Sequence, residues 1–125
     1  MRRSMPTSAN GRWGEAAARV FLESRGYEVV ECNYRTRYGE IDLVVREKRT
    51  IIFVEVKTRA RDTGAAEAAV DRRKQLRICK AAHVYSRRAP AARYRFDVVV
   101  VLRSPGDTTA RIRHYRNAFD MTLVF

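Results

Sequence analysis

Covalent and metal cross-links are scarce in this chain. Its two cysteines, Cys32 and Cys79, lie far apart with no CxxC and no Cys/His cluster around either. That spacing argues against a zinc site and a disulfide framework and leaves two reduced, ordinary thiols. Long apolar runs are missing too. The longest, "IIFV" and "VVVVL", are far too short to cross a bilayer, and the basic start "MRRSMPTSANGRWGE" has no apolar segment behind it. A cytoplasmic protein with no membrane partner is expected. The chain shows no internal repeat and no low-complexity segment. Negative charge is short: fourteen Asp and Glu against twenty-six Lys and Arg give +12 and a pI near 10.6. Such an excess suits a polyanionic partner, nucleic acid before all others, although an arginine-rich proteome would also produce it.

What is present describes a globular domain. At 125 residues, with 46% hydrophobic and 32% charged residues, the chain can bury one core without staples. Residues 1–10 read as a flexible tail and 11–125 as a single domain. In "NGRWGEAAARVFLESRG", Trp13, Ala16, Ala17, Val20 and Phe21 recur at helical spacing, with Asn10 as cap and Gly26 as terminator. "YEVVECNYR" is a strand, "TRYG" a turn, and "EIDLVVR" and "TIIFVEVKT" form a hairpin closed by "EKR". After the loop "RARDTGAA", a second helix from Ala66 to about Arg88 turns Val70, Ile78, Ala81, Ala82 and Tyr85 inward. "YRFDVVVVLR" is a strand covered on both faces, "SPGD" a turn, "ARIRHY" a last strand and "RNAFDMTLVF" an indistinct end. The expected fold is α/β, in the order α-β-β-β-α-β-β, with a mixed central sheet flanked by helices.

Three ionised residues interrupt the apolar hairpin. Strand alternation puts Glu55 and Lys57 on one side. If "EKRT" is the loop, with Arg46 opposite Ile51, Asp42 falls opposite Glu55; a loop one residue shorter would pair Asp42 with Val54 instead. Two facing carboxylates at about 4 Å and an effective dielectric near 20 repel by on the order of 4 kcal/mol, so something positive belongs between them. A divalent cation held by oxygen ligands, Mg2+ or Mn2+, meets that need, and the lack of clustered His or Cys argues against zinc. Lys57 would then stand beside the attacked water or phosphate. A surface Glu55–Lys57 ion pair with a solvated Asp42 is the competing reading.

Asp42 followed by "EVK" at 55–57, between two helices, resembles the PD-(D/E)xK nuclease superfamily, whose core is restriction-endonuclease-like. More closely, "GRWGEAAARVFLESRGY", "YGEIDLVV", "FVEVKTR", "AVDRRKQLRICKAAHVY", "RFDVVVV" and "RNAF" resemble the YraN family of small uncharacterised bacterial proteins, over residues 11–120. The resemblance implies a metal-dependent phosphodiesterase fold like that of archaeal Holliday junction resolvases. It implies Asp42, Glu55 and the Val56 carbonyl as metal ligands and Lys57 as catalytic. Ile41 stands where the superfamily motif has proline. Glu15 resembles an extra acid some of these nucleases use, though a helix-surface glutamate near the N-terminal dipole reads equally well. Lys74 or Gln75 could reach the site from the second helix.

Arg73, Arg77 and Lys80 on that helix, Arg59 and Arg61 after Lys57, and Arg35 and Arg37 before the hairpin are placed to neutralise phosphates, unless they form only a solvated face. Asp97 reads as structural, and His83 and His114 have no assigned role. The expected activity is hydrolysis of DNA, branched or junction DNA included, with DNA favoured over RNA. Alternatives are an idle nucleic-acid-binding or accessory module of the same fold and a basic RNA- or ribosome-associated protein. Self-association into a homodimer stays open. No aromatic stacking platform or base-reading motif stands out, so little sequence specificity is expected.

Overall fold

The computed structural model describes residues 9–61, 64, 68–104, 106 and 108–120, with side chains from Gly11 onward. Most of the expected tail, the middle of the loop after Lys57, part of "SPGD" and the last five residues lie outside the described residues. The elements are α1 (Ala9–Ser24), β1 (Glu28–Arg35), β2 (Glu40–Glu47), β3 (Thr50–Arg59), α2 (Arg72–Arg88), β4 (Arg93–Leu102) and β5 (Arg111–Phe119). The order is the α-β-β-β-α-β-β read from the sequence. The strands form one mixed sheet in the order β1-β2-β3-β4-β5, with β3 and β4 parallel and every other pair antiparallel. No helix among the described residues is long and apolar enough to cross a membrane.

The sheet is covered on both sides. One core joins Ile41, Val44, Ile51, Phe53, Phe96, Val98 and Val100 to Ile78, Ala81, Ala82 and Tyr85 of α2. The other joins Leu43, Val45, Ile52, Val54, Val99 and Val101 to Ala18 and Leu22 of α1. Phe96 through Leu102 are buried without a break, because β4 is an interior strand with a helix over each face.

Four local expectations change. The most buried stripe of α1 is Gly14, Ala18 and Leu22, flanked by the expected Trp13, Ala17 and Phe21, while Ala16 is exposed and Val20 is 66% exposed. Gly14 decides this rotation: a Cβ there would overlap Thr58 Oγ1, so only glycine lets the helix sit this close to β3. Asn10 lies inside α1 rather than capping it. Gly26 does end the helix, with φ +93° and a Schellman pair in which Tyr27 N donates to Leu22 O and Gly26 N to Glu23 O. The second helix starts at Arg72 rather than Ala66, because Asp71 caps it by accepting the Lys74 amide at 2.8 Å. Finally, "RNAF" is not an indistinct end but the second half of β5.

That second half is anchored by Asp97, which is fully buried. Its carboxylate accepts from Arg95 Nε at 2.8 Å, Arg95 at 2.9 Å, the Asn117 amide at 2.9 Å and His114 Nε2 at 2.7 Å. The register between β4 and β5 shifts at this point, and Asn117 takes a left-handed φ of +53°. His114, given no role by the sequence, is part of the lock.

Candidate functional site

The hairpin register is the one the sequence required. Lys48 and Arg49 form the turn, with Lys48 at φ +55°, and Arg46 pairs with Ile51 through to Leu43 with Val54. Continued one step, that register sets Asp42 opposite Glu55. There the backbone ladder stops and a side chain replaces it: Asp42 Oδ2 accepts the Val56 amide at 2.8 Å. A residue in an antiparallel ladder presents its N–H and C=O to the same side, so the Val56 carbonyl also opens toward Asp42.

The strands diverge here for a visible reason. In a regular strand Ile41 and Leu43 would share a face, yet Ile41 packs in the α2 core and Leu43 in the α1 core. On the neighbouring strand, Tyr34 belongs to the α2 core while Cys32 meets Arg19 of α1 at 3.1 Å. Between them sits Asn33 at φ +51°, a conformation asparagine tolerates better than other non-glycine residues. Its amide donates to Glu15 at 3.1 Å and to Glu40 at 2.9 Å. Asn33 thus kinks β1 beside Asp42 and holds Glu15 over the site. Sequence reasoning missed it; an asparagine inside a strand was the available signal.

Glu15, Asp42, Glu55, Val56, Lys57 and Arg59 line one cleft of about 500 Å³, closed on the far side by Ala69, Val70, Asp71 and Lys74. Glu55 is buried and its Oε2 lies 2.5 Å from Lys74 Nζ. Of the two α2 candidates, Lys74 therefore reaches the carboxylates, and Gln75 instead donates to Val70 O at 2.7 Å. The Asp71 cap fixes Lys74 in the first turn, facing Glu55. Lys57 Nζ donates to the Ala69 carbonyl. Burial, then the charges of Glu55 and Glu15, push Asp42 well above the usual carboxylate range against the opposing pull of the Val56 amide. Burial, then Arg59, pulls Lys57 below its ordinary value. Burial would lower Lys74 as well, but its hydrogen bond and charge contact with Glu55 outweigh it and raise the ammonium.

Of the basic residues read as phosphate contacts, Arg59 alone lines the cleft. Arg35, Arg37, Arg61, Arg73, Arg77 and Lys80 are all exposed. Arg35 faces Glu40 at 3.8 Å. Among the described residues no three His, Cys, Asp or Glu side chains stand close enough to hold an ion by themselves. The oxygen donors that line the cleft together, the carboxylates of Asp42 and Glu55 with the backbone of Val56 between them and Lys57, are hard ligands of the kind that suit Mg2+ or Mn2+.

Residues 14–101 match the model of uncharacterised protein family UPF0102. A UPF0102 protein of Syntrophus aciditrophicus is 42% identical over 114 residues, covering 89% of this chain and 88% of its own length. One of Syntrophotalea carbinolica is 44% identical over 114 residues, covering 89% and 91%, and one of Desulforapulum autotrophicum 45% over 112 residues, covering 87% and 91%. The family match and these likenesses span the helix, the hairpin and the Val-rich strand that build the cleft, and the chain belongs to the UPF0102 family.

Proposed function

We propose that the chain is a Mg2+- or Mn2+-dependent endonuclease of the cytoplasm that hydrolyses phosphodiesters of DNA, branched or junction DNA included. The observation that carries this reading is that Asp42 and Glu55, opposite one another where β2 and β3 part, line one cleft together with Val56. Two acids brought together in a half-buried cleft cost stability unless a cation offsets them. A protein that only binds phosphate gains nothing from them.

Asp42, Glu55 and the Val56 carbonyl would hold the cation, which when bound polarises the phosphodiester and makes water a better nucleophile. Lys57, released from the Ala69 carbonyl, would hold the attacking water or a phosphate oxygen on which charge builds. Glu15, steadied by Asn33, would orient that water from the α1 side. Arg59 in the cleft, with Arg73, Arg77 and Lys80 on α2 and Arg35, Arg37 and Arg61 nearby, would place the backbone without reading bases.

A second reading has its own support. Lys74 already neutralises Glu55, and a protein whose cleft is satisfied by its own lysine needs no metal: this describes an idle nucleic-acid-binding or accessory module. Incubating the protein with linear, nicked and four-way-junction DNA and with RNA, in Mg2+, Mn2+ or EDTA, separates the two. Metal-dependent cleavage supports the nuclease, and binding without cleavage on every substrate supports the module.

A further inference from the structure

Among the described residues, every Phe, Tyr and Trp ring but one is part of one of the two cores or packs against it. The exception is Tyr38, half-exposed at the tip of the turn between β1 and β2. The turn is rigidly made: Thr36 Oγ1 accepts from the Tyr38 and Gly39 amides at 3.0 and 3.3 Å, and Thr36 N donates to Gly39 O at 2.9 Å. It rests on α2, where a Cβ at Gly39 would lie 3.4 Å from Arg77 Cβ. Two cations attend the ring, the Arg37 guanidinium at 5.0 Å and Lys80 Nζ at 5.8 Å from its centroid. Arg37 also donates to the Tyr38 hydroxyl at 3.1 Å.

We propose that Tyr38 is a stacking platform for an unpaired nucleobase of the DNA strand held in the cleft, with Arg37, Arg77 and Lys80 holding the flanking phosphates. The proposal rests on the nucleic-acid reading above and narrows it to DNA with an unpaired segment beside the cleft. An aromatic ring left out of the core and ringed by cations is what single-strand binding uses, because every base offers a face to stack and every nucleotide a phosphate to neutralise. The two cations sit on flexible, exposed side chains. A stacked base is worth more than an exposed cation–π contact, so the base wins the ring and the cations move to phosphate. Tyr38 precedes Asp42 by four residues, about 14 Å of extended chain at most, which is about four base steps. The unpaired base therefore lies close to the bond the cleft would attack. In a continuous duplex no base leaves the stack to reach the ring.

The test uses forked DNA carrying 2-aminopurine in its unpaired arm and a fully paired control, titrated with the full chain in EDTA, so cleavage plays no part. The parent protein should quench 2-aminopurine on the fork. Tyr38→Leu should abolish the quench and weaken fork binding about tenfold, with duplex binding unchanged, and Tyr38→Phe should keep both. Quenching and fork affinity that survive in Tyr38→Leu would overturn the stacking role while leaving the nuclease reading intact. Equal weakening on fork and duplex, with an unchanged melting temperature, would overturn it too, by reducing Tyr38 to a support for its neighbours. A parent protein that binds neither DNA would defeat both readings together.

Discussion

The carboxylate of Asp42 accepts the backbone amide of Val56 at 2.8 Å, at the point where a β2 carbonyl would otherwise continue the ladder. A side chain has taken over a backbone bond, and the strands are free to part and open the cleft. The amide satisfies one oxygen of Asp42. Burial and the neighbouring Glu55 and Glu15 still press the group toward its neutral form. Asp42 is thus held in place and underpaid in positive charge, the condition in which a divalent cation gains most by binding.

Mn2+ or Mg2+ should accordingly raise the melting temperature of the parent protein, since binding to the folded state alone stabilises it. Asp42→Ala should show no shift in calorimetry. Lys74→Ala should show a larger one than the parent, because the lysine 2.5 Å from Glu55 no longer competes with the ion. Equal shifts in all three proteins would place any metal elsewhere.

Binding to duplex or branched DNA should fall steeply with salt. Replacing Arg73 and Arg77 together by Ala should flatten the plot of log K against log salt by about one unit per lost contact. An unchanged slope would return that face of α2 to solvent.

Gly14→Ala should destabilise the fold despite the better helix former, because the added Cβ overlaps Thr58 Oγ1. Forcing α1 away from β3 should cost about 1–3 kcal/mol in chemical denaturation. Adding Thr58→Ala should recover most of that loss. Two substitutions whose costs simply add would show that the contact is not what places the helix.

Asp97→Ala should cost about 3–5 kcal/mol at neutral pH by leaving Arg95 without its buried partner. Burial works to raise Asp97, but His114, Arg95 and the Asn117 amide together hold it below the ordinary carboxylate value. The folded state therefore binds fewer protons than the unfolded chain between the two pKa values. Stability from this group is complete above the usual 3.8 and is lost as pH falls through the folded value. Urea titrations should show the gap between parent and variant narrowing in strong acid. A gap that is constant with pH would remove the charge from the explanation.

Much of the fold could be read in the chain because periodicity and turn chemistry agree along most of it. The unbroken valines of β4 and the Gly26 terminator each follow from local residue types, whereas the hairpin turn is tighter than the EKRT loop read from the sequence, since Glu47 and Thr50 still pair. The site was legible to the extent that register was: once Arg46 pairs with Ile51, Asp42 must meet Glu55. What was not legible depends on contacts between distant segments. The rotation of α1 is set by one glycine against Thr58, and the kink at Asn33 by a matched irregularity in β2. The role of His114 appears only when β5 folds onto Asp97. None of these has a sequence period.

Asp42→Asn separates catalysis from binding and tests the central claim most directly. Neutralising Asp42 removes repulsion toward Glu55 and toward an incoming phosphate while nearly keeping the side-chain volume, so DNA affinity in EDTA should hold level or rise. It also removes a charged metal ligand, so single-turnover cleavage in Mn2+ should fall by orders of magnitude. Lys57→Ala, run beside it, should weaken binding slightly and abolish cleavage. Parent protein that cleaves nothing across the DNA and RNA panel, or cleavage that persists undiminished in both variants, would contradict the account.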